Sequence, residues 1–349
     1  MTRIRHNQDL ITTYHDLNPS TVDTLHEEPS PLEFMRYVAR NRPFVIKNGA
    51  KDWKARKTWN ASYLTSIMSG QNVNVAITPH GNADSIIPLP NNGSLFVKPY
   101  ETSDPFTNLI KEVQTQELSP NSTLPTRYAQ TQNDNLRNEY ATLFSSVPAS
   151  IPFARIALEK DPDAINFWLG NSHSVTALHK DNYENIYVQV LGRKHFVLLP
   201  PAESACVNER GALAATYALR GSASETGDLK KDDLHVVVDE PEEYVPFATW
   251  DPDRPDENTT PYSHLSRPLR VTLDEGDMLY LPALWYHKVS QSCNSAGICC
   301  AVNYWYDLEF SGGFWPMANF VRSVGLLSMS RDGEKAEGSG NDGGEQKKS

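Results

Sequence analysis

Ser174-Val-Thr-Ala-Leu-His-Lys-Asp-Asn-Tyr-Glu-Asn-Ile-Tyr-Val-Gln-Val190 carries a histidine and an aspartate two positions apart, His179 and Asp181. Residues two apart on an extended strand project from one face. Both side chains can therefore reach one point, while Lys180 points away. An imidazole and a carboxylate at one point make an incomplete metal site. A second imidazole would complete the two-histidine, one-carboxylate face that holds iron(II) and leaves other positions open.

The rest of the chain is ordinary globular material. Of its 349 residues, 39% are hydrophobic and 21% charged, enough for a sizeable core in one large domain with extensions or in two smaller ones. The net charge is -11. No extended basic block offers a nucleic-acid footprint, so no nucleic-acid partner is expected. An acidic surface suits a basic protein substrate and suits solubility equally. The four cysteines, Cys206, Cys293, Cys299 and Cys300, form no CxxC pair. Adjacent Cys299-Cys300 lie in an apolar run and read as small buried side chains. The first residues lack the apolar core of a signal peptide. No apolar run approaches the ~18 residues needed to span a bilayer, so no membrane partner is expected. These features predict a cytoplasmic protein with reduced thiols, and leave the nucleus open.

Working outward, residues 127–310 read as a β-barrel, and residues 1–126 as an α/β extension that packs on it. In the extension, Ser30 caps a helix over Pro31–Ala39, with Leu32, Met35 and Val38 on one stripe. Short strands come next at Phe44–Ile46, Val73–Ile77 and Ser94–Val97, then a helix from Pro105. In the barrel a helical stretch is expected around 134–145, and strands at Asp163–Gly170, on either side of the turn Leu191-Gly192-Arg193, and at Leu269–Leu273, Met278–Leu281 and Gly297–Tyr306. Residues 202–266 are a long irregular excursion expected at the barrel rim. Residues 311–330 form a helix with an apolar stripe of Phe314, Met317, Phe320, Val321 and Val324, which either covers the barrel or pairs with a second copy. Residues 331–349 hold almost nothing apolar and are expected to be disordered. Many short strands with helices mainly at the ends give a mainly-β, jelly-roll barrel.

His287 is the candidate second imidazole. It comes after a strand and the Pro282 turn, which puts it at a barrel mouth. The frame His179-x-Asp181, Gly276-Asp277, Pro282, Trp285, His287 and Asn303-Tyr-Trp-Tyr306 resembles the JmjC oxygenases of the cupin superfamily. Asn166-Phe-Trp-Leu-Gly170, Tyr183-Glu-Asn185, Leu281-Pro-Ala-Leu-Trp285 and Ala301-Val-Asn-Tyr-Trp-Tyr-Asp307 are similar to lysyl-hydroxylating members of that family. The likeness is densest over 163–201 and 269–307 and poor over 202–240. It implies a double-stranded β-helix and a catalytic site in which His179, Asp181 and His287 bind Fe(II), with 2-oxoglutarate as cosubstrate and O2 as oxidant.

Lys194 can be argued from the residues alone. On its strand it shares a face with Phe196 and Leu198. A lysine on an apolar face is costly unless it meets an anion, and a dicarboxylate supplies one. The resemblance implies that Lys194 pairs with the distal carboxylate of 2-oxoglutarate and that Thr176 bonds the same group. Simple alternation would set Thr176 opposite His179, so a bulge or turn between them is required. Tyr128, Asn185 and Asn303 match polar cosubstrate positions. Asp181, Tyr183, Asn185, Tyr187 and Gln189 would share a strand face, a polar lining that a barrel filled only for stability would lack. Trp285 and Trp305 read as packing.

The function this implies is hydroxylation of a lysyl side chain at C3, in a protein substrate that the family resemblance makes a translation-factor-class GTPase. Acidic residues of the excursion, Asp251, Asp253, Asp256 and Glu257, would meet the substrate ammonium. The rival readings are a histone-tail lysine demethylase or peptidase on the same site, and a non-catalytic cupin scaffold. A homodimer through the C-terminal helix is the expected assembly.

Overall fold

In the computed structural model the described residues are 2–90, 93–119, 123–221 and 229–338. Eight strands make the barrel: β1 (Ala164–Gly170), β2 (Thr176–His179), β3 (Tyr183–Leu191), β4 (Arg193–Leu199), β5 (Leu269–Leu273), β6 (Met278–Leu281), β7 (Tyr286–Ser292) and β8 (Cys299–Asp307). They form two sheets with orders β6-β3-β8-β1 and β5-β4-β7-β2. All of their mutual pairings are antiparallel. The chain passes from one sheet to the other at every step except that from β4 to β5, where the excursion intervenes. This is the double-stranded β-helix expected of the sequence.

Alternation along β3 divides the core. Ile186 and Val188 turn outward and pack against the N-terminal region, with Phe34, Phe44, Phe153 and Tyr280. Tyr187 turns inward and meets Phe196, Leu198, Leu279 and Trp285 between the two sheets. Both faces of this sheet are therefore covered, and its strands read as near-continuous apolar runs. Phe44–Ile46 continues the sheet by pairing with β6. Asp277, 2% exposed, fixes that junction. Its carboxylate accepts from the Asn48 and Asp274 amides at 3.0 Å each and binds the Lys47 ammonium at 2.5 Å. The Gly-Asp part of the family frame is thus a structural clasp.

Four expectations change. The helix Pro31–Arg40 has its Ser30 cap and a reciprocal bond from Glu33, but Leu32 is 68% exposed and the buried residue is Phe34. The aromatic ring, between Phe44, Phe153 and Tyr280, outweighs the aliphatic stripe. The stretch around 134–145 is mostly turns, with a helix only over Ala141–Phe144. Asn135 and Asp134 bond the backbone of β1 instead, as such side chains do in competition with helix.

The excursion is not irregular. Glu209–Leu219 pairs with Leu234–Val238 and Tyr244–Ala248, and lies parallel to Ser94–Lys98 of the N-terminal region. The C-terminal helix runs Phe314–Gly338, past the end expected at 330, because a helix already nucleated upstream extends at little cost per residue. The remainder of the tail reading, residues 339–349, lies outside the described residues.

Candidate metal centre

Strand pairing brings the two histidines together. His179 closes β2 and stands directly opposite His287 of β7. Their rings are 4.0 Å apart between centroids. Asp181 lies just beyond the end of β2, so it joins them through the turn rather than by strand alternation. Its Oδ2 is 3.9 Å from His179 Nε2 and 3.6 Å from His287 Nε2. A metal bond of about 2.1 Å allows one ion to touch two atoms up to about 4.2 Å apart, and both separations fall inside that. One ligand atom from each of the three residues lies within 4.8 Å of the others, and no other such group of three or more His, Cys, Asp or Glu side chains occurs among the described residues.

Each imidazole is oriented by the backbone. His179 Nδ1 is 2.7 Å from the Ala177 carbonyl, and His287 Nδ1 is 3.0 Å from that of Trp285. A carbonyl only accepts, so each Nδ1 carries the proton and each Nε2 lone pair is left for a metal. The carbonyl lies two residues upstream in both cases. These orienting groups carry no side-chain signature and could not be named from sequence. A backbone bond from Leu284 N–H to the Asp181 carbonyl, 2.9 Å, ties the loop before His287 to the aspartate. Lys180 does point away, to Glu209 and the Tyr286 hydroxyl.

A cavity extends from the triad into the barrel and is lined by every expected cosubstrate residue: Tyr128, Thr176, Asn185, Lys194 and Asn303. The bulge that Thr176 required is present, since His287 pairs with His179 but Val289 pairs with Thr176. Lys194 is 4% exposed. Its ammonium donates to the Tyr128 hydroxyl at 2.8 Å. Burial pushes the Tyr128 phenol up, so it stays neutral. Among the described residues no carboxylate lies within ion-pair distance of Lys194. The buried carboxylates of the barrel strands are better served: Glu184 accepts from the Tyr280 hydroxyl, and Asp277 has Lys47. A buried ammonium beside the neutral phenols of Tyr128 and Tyr187, with no carboxylate, is poorly compensated. It fits the far carboxylate of a dicarboxylate whose other end reaches the triad.

Asn303 accepts from Trp168 Nε1 at 2.7 Å and donates to Asn185 at 3.1 Å, forming a polar wall. Gly170 leaves room for the Tyr128 ring: a Cβ there would lie 2.1 Å from it. Tyr187 lines the cavity, as its place on the polar strand face predicts, whereas Trp168, Gln130 and Asp84 line it without having been expected. Trp305, read as packing, also lines it and stacks on Tyr183 at 4.7 Å. Trp285 is packing, and its indole donates to Asn41. Gln189 lies deeper, bonded to the Leu191 carbonyl.

Three of the four rim acids are not free charges. Asp251 and Asp253 bind Lys288 at 2.8 Å each, Asp253 also binds Arg270, and Glu257 binds Arg254. The charge of these three is met within the protein, whereas Asp256 is exposed and makes no ion pair among the described residues.

Burial, with His179 beside it, lowers the His287 pKa to about 4, against a weaker opposing pull from Asp181. Below about 6.5 the unfolded chain takes up a proton that folded His287 refuses. Its contribution to stability therefore falls as pH drops from about 6.5 toward about 4. An NMR titration of the metal-free protein should find His287 neutral at pH 6 with a midpoint near 4; a midpoint at or above 6.5 would contradict this environment.

The comparisons with known proteins agree with this geometry. The family model "Cupin-like domain" matches residues 29–312. "Bifunctional peptidase and (3S)-lysyl hydroxylase JMJD7" of Homo sapiens is 38% identical over 293 residues, covering 84% of this chain and 86% of that protein. "Lysine-specific demethylase JMJ32" of Arabidopsis thaliana is 33% identical over 318 residues, 88% of each. "JmjC domain-containing protein E" of Dictyostelium discoideum is 34% identical over 298 residues, 81% of this chain and 83% of its own. Membership of this family implies iron(II) and 2-oxoglutarate, which supports a dioxygenase, and the triad and Lys194 fit both. With its barrel, its His-Asp-His centre and these relatives, the chain belongs to the cupin-like JmjC family.

Proposed function

We propose that this chain is an iron(II)- and 2-oxoglutarate-dependent protein hydroxylase that acts at C3 of a lysyl side chain, in a substrate of the translation-factor GTPase class. The observation that carries the reading is Lys194: a buried ammonium without a carboxylate, in the same cavity as the triad. The lysyl specificity draws support from the printed name of the human relative, which covers most of the chain.

His179, Asp181 and His287 would hold the ion through two Nε2 atoms and one carboxylate oxygen. When bound, iron(II) with 2-oxoglutarate and dioxygen supplies the oxidising power to turn C–H into C–OH as the cosubstrate is decarboxylated to succinate. Lys194 and Tyr128 would take the distal carboxylate, with Thr176 beside them. The Trp168–Asn303–Asn185 chain keeps the polar wall rigid. Phe196 and Val289 make the apolar part of the lining, which limits water.

The test is a mass gain of one oxygen on lysine-bearing GTPase peptides that requires iron and 2-oxoglutarate. Formaldehyde from methyl-lysine would favour the demethylase reading, shorter peptides the peptidase reading, and no turnover by metal-loaded protein a scaffold. Lys194→Ala should keep the metal and weaken 2-oxoglutarate binding roughly ten- to hundredfold, the value of a charge-assisted hydrogen bond. Unchanged affinity by calorimetry would mean the cosubstrate pocket is misassigned.

The partner reading extends to a homodimer. The C-terminal helix rests on the barrel through Trp315, which packs on Ala283, Leu284 and Leu308, and through Arg322, which binds Glu209. Its other face leaves Met317 and Phe320 63% exposed, with Phe314 exposed beside them. Spacing of three residues makes one apolar stripe suited to a second copy. Sedimentation should give a dimer that Phe320→Glu converts to monomer; a wild-type monomer at micromolar concentration would rule the pairing out.

A further inference from the structure

The triad cavity opens into a wider cleft of about 740 Å³, and the two share Asp84, Gln130, Gln132, Thr176 and His179. That volume suits a side chain or small ligand. Phe96 and Phe247 wall the cleft, their rings 5.0 Å apart and tilted by 41°. Lys98 lines it too, but is paired with Asp239 at 2.7 Å. Asp84 differs. Among the described residues its carboxylate makes no hydrogen bond and no ion pair. Its charged neighbours are His179, Glu101 and Lys98.

The backbone fixes Asp84 where it stands. It is in the left-handed region, φ 50, which a short polar residue tolerates better than most. Asn82 and Ser85 bond each other across it at 2.9 and 2.8 Å. Just before, the Gly81 carbonyl accepts from Val175 N–H at 2.8 Å. Gly81 lies so close to this segment that a Cβ would sit 1.8 Å from the His173 carbonyl oxygen. The loop holding Asp84 is thus locked to the segment that leads into β2 and ends at His179.

We propose that Asp84 receives the ε-ammonium of the substrate lysine and sets the preference for lysine over an uncharged side chain; this rests on the lysyl hydroxylase reading. A part-buried carboxylate with no partner of its own gains most from an incoming cation, through a charge-assisted hydrogen bond. The lysine methylenes would lie along Phe96 and Phe247, as long charged side chains do on apolar surface. Four bonds separate the ammonium from C3, so C3 can face the triad while the ammonium rests beside His179 on Asp84. Among the described residues Asp84 is the one carboxylate that lines both the cleft and the triad cavity.

The test uses full-length protein loaded with Zn(II) and 2-oxoglutarate, which binds without turnover. Affinities for Nα-acetyl-lysine N-methylamide and its norleucine counterpart are read by saturation-transfer NMR. Wild type should prefer the lysine probe by about tenfold or more, and Asp84→Asn should abolish that preference. Asp84→Glu should restore part of it, a rescue that a merely structural role would not give. Asp84→Ser serves as the neutral variant if the asparagine one does not fold. No lysine preference in wild type, or a preference retained in the neutral variant, overturns the assignment. Preference as expected but no oxygen gained by any lysine peptide leaves Asp84 in place and sinks the hydroxylase reading. Oxygen gained with preference intact in Asp84→Asn sinks only the role of Asp84.

Discussion

One cross-strand pair governs this molecule: His179 at the end of β2 directly opposite His287 on β7. Two imidazoles at van der Waals distance in a partly buried place repel when charged and gain little when neutral. The pairing becomes useful because each Nδ1 is already bonded to a backbone carbonyl, which turns both Nε2 lone pairs toward Asp181. Much of the neighbouring architecture serves that pair. The bulge after Thr176 brings a hydroxyl round to the same cavity. The Leu284–Asp181 bond keeps the carboxylate in register with the loop that delivers His287.

The second constraint is the interior below the triad. A barrel filled for stability alone would close with aliphatic side chains. Here part of it does so, with Phe196, Leu198, Leu273 and Leu279. The cavity that reaches from the triad holds Lys194, Tyr128, Asn185 and Asn303 as well. The asparagines satisfy one another, whereas the ammonium meets neutral phenols and, among the described residues, no carboxylate. The protein therefore carries a cost of desolvation that an anionic ligand would relieve, a common signature of a binding site.

Much of this was legible in the sequence, for physical reasons that also explain the gaps. His179 and Asp181 stand out because of their spacing, even though the strand ends at His179 and the turn completes the approach. Lys194 stands out because a charge sits in an apolar alternation. The strands of the excursion did not stand out. Glu209–Leu219 is stabilised by a parallel partner at Ser94–Lys98, more than a hundred positions upstream, and such pairing leaves no local pattern. The stripe on the helix Pro31–Arg40 misled because periodicity does not rank a phenylalanine above three aliphatics, and Phe34 has a pocket of rings to enter. Asp84 was invisible for a different reason. It sits in a loop whose place depends on Gly81 and His173 touching.

The central claim is that one ion is shared by three side chains far apart in the chain. Anaerobic titration of the metal-free protein with Fe(II), followed by metal analysis after gel filtration, tests it most directly. The geometry requires one ion per chain in wild type and almost none in His179→Ala, Asp181→Ala or His287→Ala, each still folded by circular dichroism. Tight stoichiometric iron retained in any of the three folded variants would place the metal elsewhere and contradict the account.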